Sequence, residues 1–388
     1  EQRDLPDILI TTYGTLRRDA GQLARRGWRL LVLDEAQAVK NTSTGAHAAA
    51  ASLPVKQVVA MTGTPVENRL MEYWSIFSII QPGVLGSAEE FRRSFEVPIE
   101  SEHDPEASEA FRRLVAPFML RRLKTDKSII SDLPEKLVQD VATRLLPQQA
   151  ALYREILEKS LSEISGAEAE GERGAPRRKA LVLKLITQLK QVCNSPSQLL
   201  KTRSEQPDSA KAQTLLELLE ECRESGRKVI VFTQYREMGE RLQEWIGMKL
   251  GRTPQFLHGG VSVARRAEMV DDFQENADSQ VLLVSLKAGG VGLNLTAASV
   301  VIHYDLWWNP AVENQASDRA WRIGQQRDVL ILRFVTEGTF EERINALLTE
   351  KRQLAELTVG AGEKWLGDLS SRQIEELFRL GGAETAAD

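Results

Sequence analysis

The sequence contains few of the residues that cross-link a chain, ligate metals or span membranes. Its 388 residues include two cysteines, Cys193 and Cys222, and four scattered histidines. Two cysteines outside a CxxC spacing form neither a disulfide framework nor a zinc site, so we expect free thiols in a reducing compartment. No apolar run is long enough to cross a bilayer, and residues 1–14 lack the basic and apolar regions of a signal peptide. These features argue against a membrane protein and a disulfide-stabilised domain.

The chain also lacks an overall excess of positive charge. It has 50 basic and 55 acidic residues and a formal net charge of -5, so its surface is not uniformly basic. This balance is compatible with nucleic-acid binding, because local clusters rather than totals attract phosphate. Basic clusters occur at residues 16–19, 119–127 and 176–184. Each cluster alone is more typical of a solvated helix face.

Short apolar runs that alternate with polar turns occupy the first third of the chain. They lie at residues 7–13, 29–36 and 57–65, and they predict strands buried on both faces of a parallel sheet. From residue 67 to about 200 the apolar spacing is helical. Within that range, residues 166–179 are rich in glycine, proline and charge, which predicts a loop.

Strand and helix patterns alternate again in the second half of the chain. The strand candidates are residues 228–235, 255–260, 281–290, 299–305 and 329–335. This alternation predicts a second, doubly wound parallel sheet, and the tail is helical with Ser370 as a helix cap. We therefore predict an α/β protein. Its predicted parts are a partial α/β lobe (1–125), a linker and helical insertion (126–208), a complete α/β lobe (209–340) and a helical extension (341–388).

Two adjacent carboxylates, Asp34 and Glu35, end the apolar run of residues 29–36. Ligands of open α/β sheets gather at the carboxyl ends of the strands. An Asp there can hold magnesium and the Glu beside it can polarise an attacking water, as in nucleotide triphosphatases. Acidic residues also suit the positive end of a helix dipole, so the pair alone leaves both interpretations open.

Two further motifs combine glycine with polar side chains after an apolar run. In Thr62, Gly63 and Thr64, the hydroxyls offer hydrogen bonds that can switch while the glycine permits close backbone approach. In residues 285–296, SLKAGGVGLNLT, glycines let backbone N–H groups approach phosphates and Lys287 adds charge. Each motif also fits an ordinary turn, so neither is specific by itself.

The segment of residues 307–325, WWNPAVENQASDRAWRIGQ, carries a pattern of arginines. If it is helical after its proline, Gln315, Arg319 and Arg322 lie at i, i+4 and i+7 and share one face. Two guanidiniums on one face can neutralise the charge of a transferring phosphoryl group. The alternative is a solvated helix whose arginines pair with neighbouring acids.

Taken in order, these motifs resemble the Swi/Snf family of DNA-dependent ATPases within helicase superfamily two. The resemblance rests on DEAQAVKN, TGTPVEN, FMLRRLKTD with LPEK, SLKAGGVGLNLT and DRAWRIGQ, and it runs from residue 7 to about 344. It implies a partial first and a complete second RecA-like lobe with helical insertions. It also implies ATP hydrolysis with Mg²⁺ and translocation along double-stranded DNA, which moves or strips DNA-bound complexes such as nucleosomes or polymerase. The acidic composition and short insertions resemble bacterial members, which implies the cytoplasmic nucleoid, or the nucleus for a eukaryotic source.

The resemblance assigns roles to individual positions. Asp34 and Glu35 match the magnesium-binding and water-activating pair, and residues 62–64 match the motif that couples ATP hydrolysis to movement. The positions that match further ATP contacts are Gly292, Gln315, Arg319 and Arg322. The positions that match DNA contacts are Thr11, Thr12, Tyr13, Thr233, Gln234, His258, Gly259, Ser285, Lys287, Gly289 and Gly290.

The sequence departs from the family pattern at the phosphate-binding loop. The family's first lobe begins with a GxxxxGK[ST] loop, whose backbone and lysine cradle the β and γ phosphates. The 388 residues contain no such motif. We therefore expect a chain truncated before this loop. Alone, it should neither bind ATP tightly nor hydrolyse it, although the parent protein should.

Two other functions compete with the translocase. A strand-separating DNA helicase has similar motifs. The residues of TGTPVEN and RIGQ favour the translocase, and a forked-duplex unwinding assay discriminates between the two functions. The second competing function is that of a non-enzymatic remnant that binds DNA or a partner. Retention of Asp34, Glu35, Arg319 and Arg322 argues against it, because a pure binding module does not need them.

Overall fold

The chain divides into two units, each with its own hydrophobic core. The first comprises residues 1–122 and 357–361, and the second residues 123–356 and 362–388. The computed structural model describes residues 7–62, 70–102, 104–120, 122, 124, 133–286, 292–307, 309–354 and 370–381.

The first unit contains a two-stranded parallel sheet with helices on one face. Its elements begin with α1 (Tyr13–Leu23), β1 (Trp28–Leu33), α2 (Gly45–Ala51), β2 (Val55–Ala60) and α3 (Met71–Ile80). The strands pair in parallel, as predicted, with Leu31 opposite Val58. Leu16 of α1, Leu33 of β1 and Ala49 of α2 share a buried core. Further helical segments are α4 (Ala88–Phe91), a π-helical turn (Arg92–Glu96), α5 (Val97–Glu100) and α6 (Pro105–Val115).

The second face of this sheet is exposed, which corrects the prediction of strands buried on both faces. Leu30 and Val32 of β1 are 48% and 49% exposed. The strand predicted over residues 7–13 is also wrong, because α1 begins within it and the hydroxyl of Thr12 caps that helix. An apolar run shows which residues favour burial, but it does not show which elements cover them.

Six parallel strands form the sheet of the second unit. They are β3 (Lys136–Thr143), β4 (Lys228–Thr233), β5 (Gln255–Leu257), β6 (Val281–Ser285), β7 (Ala298–His303) and β8 (Val329–Thr336). Their spatial order is β3-β8-β7-β4-β6-β5. The predicted doubly wound α/β sheet is therefore confirmed. The inner strands β4, β6 and β7 are almost completely buried, as continuous apolar runs require.

Helices pack on both faces of this sheet. They are α7 (Pro147–Ala169), α8 (Ala175–Asn194), α9 (Pro196–Leu200), α10 (Ala210–Glu224), α11 (Arg236–Leu250), α12 (Val263–Glu275), α13 (Pro310–Ser317), α14 (Phe340–Leu354) and α15 (Ser371–Phe378). α10 and α11 share a core with Val229 and Val231 of β4. α12 and α13 share another with Ile230 and Phe232, whose side chains alternate with the first two. α7, α8, α14 and α15 form a third core.

β3 was not predicted from the sequence. It lies within residues 126–208, the range predicted as a linker and helical insertion, and it pairs with β8 along its full length. β3 is an edge strand, and Leu137 and Val138 are 52% and 56% exposed, so its sequence needs no continuous apolar run. The units divide after residue 122. The predicted domain boundaries stay a prediction.

Two predictions about helix ends have opposite outcomes. Residues 166–179, predicted as a loop, are mostly helical, because α7 continues to Ala169 and α8 begins at Ala175. The predicted cap is confirmed, since the hydroxyl of Ser370 accepts a backbone N–H in the first turn of α15.

The two cysteines are free, as predicted, and both are buried. Burial raises the pKa of the Cys193 thiol far above its ordinary value, which makes it a poor nucleophile. Across the described ranges, no helix combines the length and the apolarity needed to cross a bilayer.

Candidate functional site

The carboxylate pair lies where the sequence predicts it, directly after the last residue of β1. Asp34 is exposed, and its Oδ1 accepts the backbone N–H of Glu35 at 3.0 Å. Glu35 has a φ of 49°, in the left-handed region that residues with a Cβ rarely adopt. Such backbone strain clusters at functional sites. The N–H of Met61 donates to Leu33 at 2.8 Å and that of Ala36 to Met61 at 2.9 Å, which fixes the turn against the end of β2.

A chain of side-chain hydrogen bonds crosses this carboxylate turn (residues 34–37). Gln37 Nε2 donates to Glu35 Oε2 at 2.6 Å, and Thr62 Oγ1 donates to Gln37 Oε1 at 2.8 Å. The predicted coupling residue Thr62 is thereby connected to the carboxylate of Glu35 through one amide. Gln37 was not among the predicted site residues, although the motif DEAQ contains it, because a single amide indicates no chemistry by itself.

Tyr13 supports the carboxylate turn from α1. Its hydroxyl donates to the backbone carbonyl of Asp34 at 2.8 Å. Burial, together with the neighbouring carboxylates of Asp34 and Glu35, raises the pKa of Tyr13 to about 12, so the hydroxyl keeps its proton. The resemblance assigned Tyr13 to DNA contact. In the structure its hydroxyl is engaged inside the first unit.

In the second unit, Thr233 and Gln234 at the end of β4 are hydrogen-bonded to a buried acid, Asp305, that was not among the predicted site residues. Thr233 Oγ1 donates to Asp305 Oδ2 at 2.5 Å, and the N–H of Gln234 donates to Oδ1 at 2.8 Å. Burial raises the pKa of the Asp305 carboxyl, and these two hydrogen bonds oppose that rise. Thr233 is fully buried, so it supports the backbone of Gln234 rather than presenting its own hydroxyl to solvent.

The carboxyl ends of β4, β6 and β5 are neighbours at one edge of the sheet. Gln234 follows β4, His258 and Gly259 follow β5, and Ser285 ends β6. Gly259 is exposed, Gln234 and His258 are half-buried, and Ser285 is buried. The structure therefore brings these four predicted DNA-binding positions to a common edge.

The other predicted positions belong to different units or lie outside the described residues. Thr11 and Thr12 precede α1 and are exposed, and Gly292 is exposed with a φ of 25°. The predicted residues that lie outside the described part of the chain are Gly63, Thr64, Lys287, Gly289 and Gly290.

Arg319 and Arg322 follow α13 rather than lying on it, which corrects the prediction of one helical face shared with Gln315. α13 ends at Ser317. The carbonyl of Arg319 accepts the N–H of Leu295 at 3.0 Å, whereas a continuing helix would use that carbonyl for its own next turn. Gln315 is half-buried on α13, Arg319 is buried and Arg322 is exposed.

Gln325 fixes the arginine turn (residues 318–325) to a neighbouring loop. Its side-chain nitrogen lies within hydrogen-bond distance of three backbone carbonyls, which share its two N–H donors, and its side-chain oxygen accepts two backbone N–H groups. The carbonyls belong to Thr296 (3.0 Å), Ala298 (2.8 Å) and Ala320 (3.0 Å), and the N–H groups to Gln326 and Arg327 (both 2.9 Å). All its hydrogen-bonding groups serve the backbone, so Gln325 is structural. In the sequence, Gln325 is the last residue of the RIGQ motif, and nothing in that motif predicts its structural role.

His303, at the end of β7, helps to hold α13 in place. It is fully buried, and its Nε2 lies 2.8 Å from Ser317 Oγ. Burial lowers the pKa of His303 to about 4, an effect that Glu313 opposes and that Arg333 and Lys136 reinforce. The ring is therefore neutral at physiological pH.

We expect the second unit to lose stability as the pH falls from about 7 toward 4, in part through His303. Between its ordinary pKa of 6.5 and its folded value of about 4, the unfolded chain binds a proton that the folded state does not. Each unit of difference corresponds to about 1.4 kcal/mol of unfolding free energy. Urea unfolding at pH 7 and pH 5 measures the loss. His303→Gln, which does not titrate, should reduce it, and an unchanged loss would show that other groups cause it.

Comparison with known proteins decides the family. Residues 1–198 match the SNF2-related domain, and residues 210–324 match the helicase conserved C-terminal domain. The chain belongs to the Swi/Snf family. The resemblance carried by the ordered motifs is thereby confirmed.

Curated relatives of this Swi/Snf chain are longer than the chain itself. YwqA of Bacillus subtilis (strain 168), named as a candidate ATP-dependent helicase/translocase, is 40% identical over 379 residues, which cover 96% of the chain and 40% of YwqA. The Zorya protein ZorD of Escherichia coli O139:H28 is 36% identical over 384 residues, which cover 96% of the chain and 35% of ZorD. The chain thus spans two fifths or less of these relatives.

Solved Swi/Snf structures share the fold. The SWI2/SNF2 ATPase core of Sulfolobus solfataricus in complex with dsDNA matches 95% of the chain, with 36% identity and a TM-score of 0.57, over 76% of its own length. The ATPase core domain of the same organism matches 96% of the chain, with 37% identity and a TM-score of 0.57, over 75% of its length. The predicted α/β class with RecA-like lobes is confirmed.

Proposed function

We propose that the parent protein is an ATP-dependent translocase on double-stranded DNA that moves or strips DNA-bound proteins. The observation that carries the proposal is the carboxylate turn, where Asp34 and Glu35 follow a parallel strand in a Swi/Snf chain. A similar core solved with dsDNA supports the choice of nucleic acid. Relatives named as a TATA-binding protein-associated factor and as a DNA repair and recombination protein support action on protein-bound DNA.

Asp34 and Glu35 act differently in this proposal. Asp34 is exposed, and its hard carboxylate oxygens suit Mg²⁺, which, when bound, supplies charge neutralisation for the phosphates of ATP. Glu35 is half-buried and held by Gln37, which suits it to orient the attacking water. In the described residues no group of three or more His, Cys, Asp or Glu side chains forms a metal cluster. A site of few carboxylates fits Mg²⁺, which keeps ligands from water and substrate phosphates.

The hydrogen bonds from Thr62 through Gln37 to Glu35 support coupling between hydrolysis and movement. A displacement of the Thr62 hydroxyl would remove the donor from Gln37 Oε1 and free the amide to turn. Because the same amide donates to Glu35, the carboxylate would lose its fixed orientation. Movement of Thr62, which follows β2, would therefore alter ATP hydrolysis, and hydrolysis would in turn act on the position of Thr62.

Arg319 and Arg322 would neutralise charge on the transferring phosphoryl group. A guanidinium stays protonated and presents a planar fork of N–H donors to phosphate oxygens. The backbone hydrogen bonds of the arginine turn fix where both side chains begin. Gln315 and Gly292 remain proposed ATP contacts on the strength of the family motif alone.

The DNA contacts would involve mainly the phosphate backbone. The edge formed by Gln234, His258, Gly259 and Ser285 brings polar groups to the carboxyl ends of β4, β5 and β6. Such contacts bind DNA largely without regard to base sequence, and they weaken with salt because binding releases counterions.

The purified 388-residue chain is expected to bind duplex DNA but to show no DNA-stimulated ATP turnover. The chain contains no GxxxxGK[ST] loop to cradle the phosphates. Turnover with and without duplex DNA tests this, with Glu35→Gln in the same chain as the matched control. Duplex affinity, measured over a salt series, is expected to fall as salt rises.

Two results would contradict these expectations separately. DNA-stimulated turnover that Glu35→Gln abolishes would show that the chain alone is active. Duplex affinity that does not respond to salt would show that phosphate contacts do not dominate binding.

A further inference from the structure

Two lysines near the start of the second unit contact the arginine turn. Lys124 Nζ lies 2.9 Å from Asp318 Oδ2, and Lys136 Nζ lies 3.1 Å from Asp318 Oδ1. Each oxygen of the Asp318 carboxylate thus pairs with one lysine ammonium. Taken alone, the basic cluster of residues 119–127 is more typical of a solvated helix face, but the structure places Lys124 in a turn and pairs it with Asp318.

Trp321 forms the second part of this contact. Its indole Nε1 donates to the carbonyl of Pro134 at 2.8 Å, and its side chain is buried. The ammonium of Lys124 lies 5.7 Å from the centroid of the ring and that of Lys136 lies 5.2 Å from it, both within cation–π range. Lys124 also donates to the backbone carbonyl of Trp321 at 3.3 Å. We name Lys124, Pro134, Lys136, Asp318 and Trp321 the linker clamp.

The anchored residues and the arginines alternate along the arginine turn. Asp318 immediately precedes Arg319, and Trp321 immediately precedes Arg322. Each arginine therefore begins one peptide bond away from a residue that the linker clamp holds. The opposite side of the turn is held by Leu295 and Gln325.

The clamp also connects the arginine turn to the chain segment that leaves the first unit. Lys124 lies two residues after residue 122, where the division between the units falls. Lys124 and Lys136 meet at the same carboxylate, that of Asp318. A displacement of Lys124 would act first on its ion pair with Asp318.

We propose that the linker clamp positions Arg319 and Arg322 for ATP turnover, with Asp318 as the positioning residue through which a displacement of Lys124 or Lys136 reaches them. The proposal rests on the proposed ATPase function and names how its arginines are regulated. Removal of the charge of Asp318 releases both lysines at once, because no second carboxylate in the linker clamp can replace it. The arginines keep their charge, but the backbone from which their side chains extend is no longer held in place.

The test compares Asp318→Asn with the unchanged full-length protein. The amide keeps the shape of the side chain and loses its charge. We expect kcat for DNA-stimulated ATP turnover to fall on the order of 10-fold, since small misplacements of catalytic groups are costly. KM for ATP and the melting temperature should change little. Glu337→Gln is the matched control, because it removes the exposed ion pair with Arg144 and should leave kcat unchanged.

Two further variants separate positioning from general damage. Lys136→Met should lower kcat in the same direction, and its combination with Asp318→Asn should lower kcat no further, because both changes break one contact. Lys136→Arg, which keeps the charge, should restore most of the rate. Additive losses in the double variant would overturn the proposal.

Amide hydrogen exchange of residues 133–137 and 318–325 reports the clamp without reference to ATP. Faster exchange in Asp318→Asn, together with the lower kcat, supports the proposal. Faster exchange with an unchanged kcat shows that the clamp opens without displacing the arginines, and unchanged exchange shows that Asp318 does not hold the segment. Either of these two results would overturn the proposal. If instead the full-length protein without substitutions hydrolyses no ATP, the proposed function fails. The exchange result then still shows whether Asp318 holds the segment.

Discussion

Replacement of Glu35 by glutamine in the full-length protein is expected to lower DNA-stimulated ATP turnover by about 10²- to 10⁴-fold, the range for loss of a general base. Glutamine keeps the length of the side chain, and its oxygen can still accept the hydrogen bond that Gln37 donates to Glu35. The variant therefore removes the charge and leaves the local geometry. Duplex DNA affinity, which depends on other residues, should not change.

A steady-state turnover assay with duplex DNA in excess measures this effect. Glu89→Gln is the matched control, because Glu89 is exposed on α4 of the same unit and away from the carboxylate turn. The control should hydrolyse ATP at the rate of the unchanged protein. If Glu35→Gln also did so, Glu35 would have no role in activating water.

The largest stability effect is expected from the buried ion pair between Lys211 and Glu341. Lys211 Nζ lies 2.7 Å from Glu341 Oε2, and the two side chains are 1% and 2% exposed. The pair joins α10 to the first turn of α14, and Glu341 also accepts the N–H of Thr336 at 3.0 Å. Lys211→Met leaves the carboxylate buried without its cation, which typically costs about 3–5 kcal/mol.

Urea unfolding of the 388-residue chain, followed by amide exchange in α10 and α14, measures this loss. Arg144→Met is the control, because Arg144 is 88% exposed in its pair with Glu337, and such pairs contribute about 0–1 kcal/mol. The double variant Lys211→Met with Glu341→Met removes both charges and should regain part of the loss. A single variant as stable as the control would show that the pair does not hold the helices together.

The sequence alone predicts the parts of the fold that burial forces into continuous apolar runs. β4, β6 and β7 lie inside the six-stranded sheet, and each appears in the sequence as an uninterrupted apolar run. The position of Asp34 and Glu35 after β1 follows from the same pattern, since the run ends where the strand ends. The ordered motifs identify the family because several must occur together.

Other features depend on contacts between residues far apart in the chain. α13 ends at Ser317, and beyond it the carbonyl of Arg319 accepts the N–H of Leu295, a bond that no local pattern encodes. β3 is an edge strand whose partner is almost 200 residues away, with Lys136 opposite Val329. The left-handed φ of Glu35 has no local sequence signal either, since glycine is the residue that normally marks such a position.

Movement along double-stranded DNA, driven by ATP, is the central prediction for the full-length protein. A triplex displacement assay with the full-length protein, run beside a forked duplex, tests it most directly. We predict that ATP will drive release of the third strand while the forked duplex stays paired, and that Glu35→Gln will release neither. Separation of the forked duplex would identify a strand-separating helicase, and ATP hydrolysis without release of the third strand would contradict translocation.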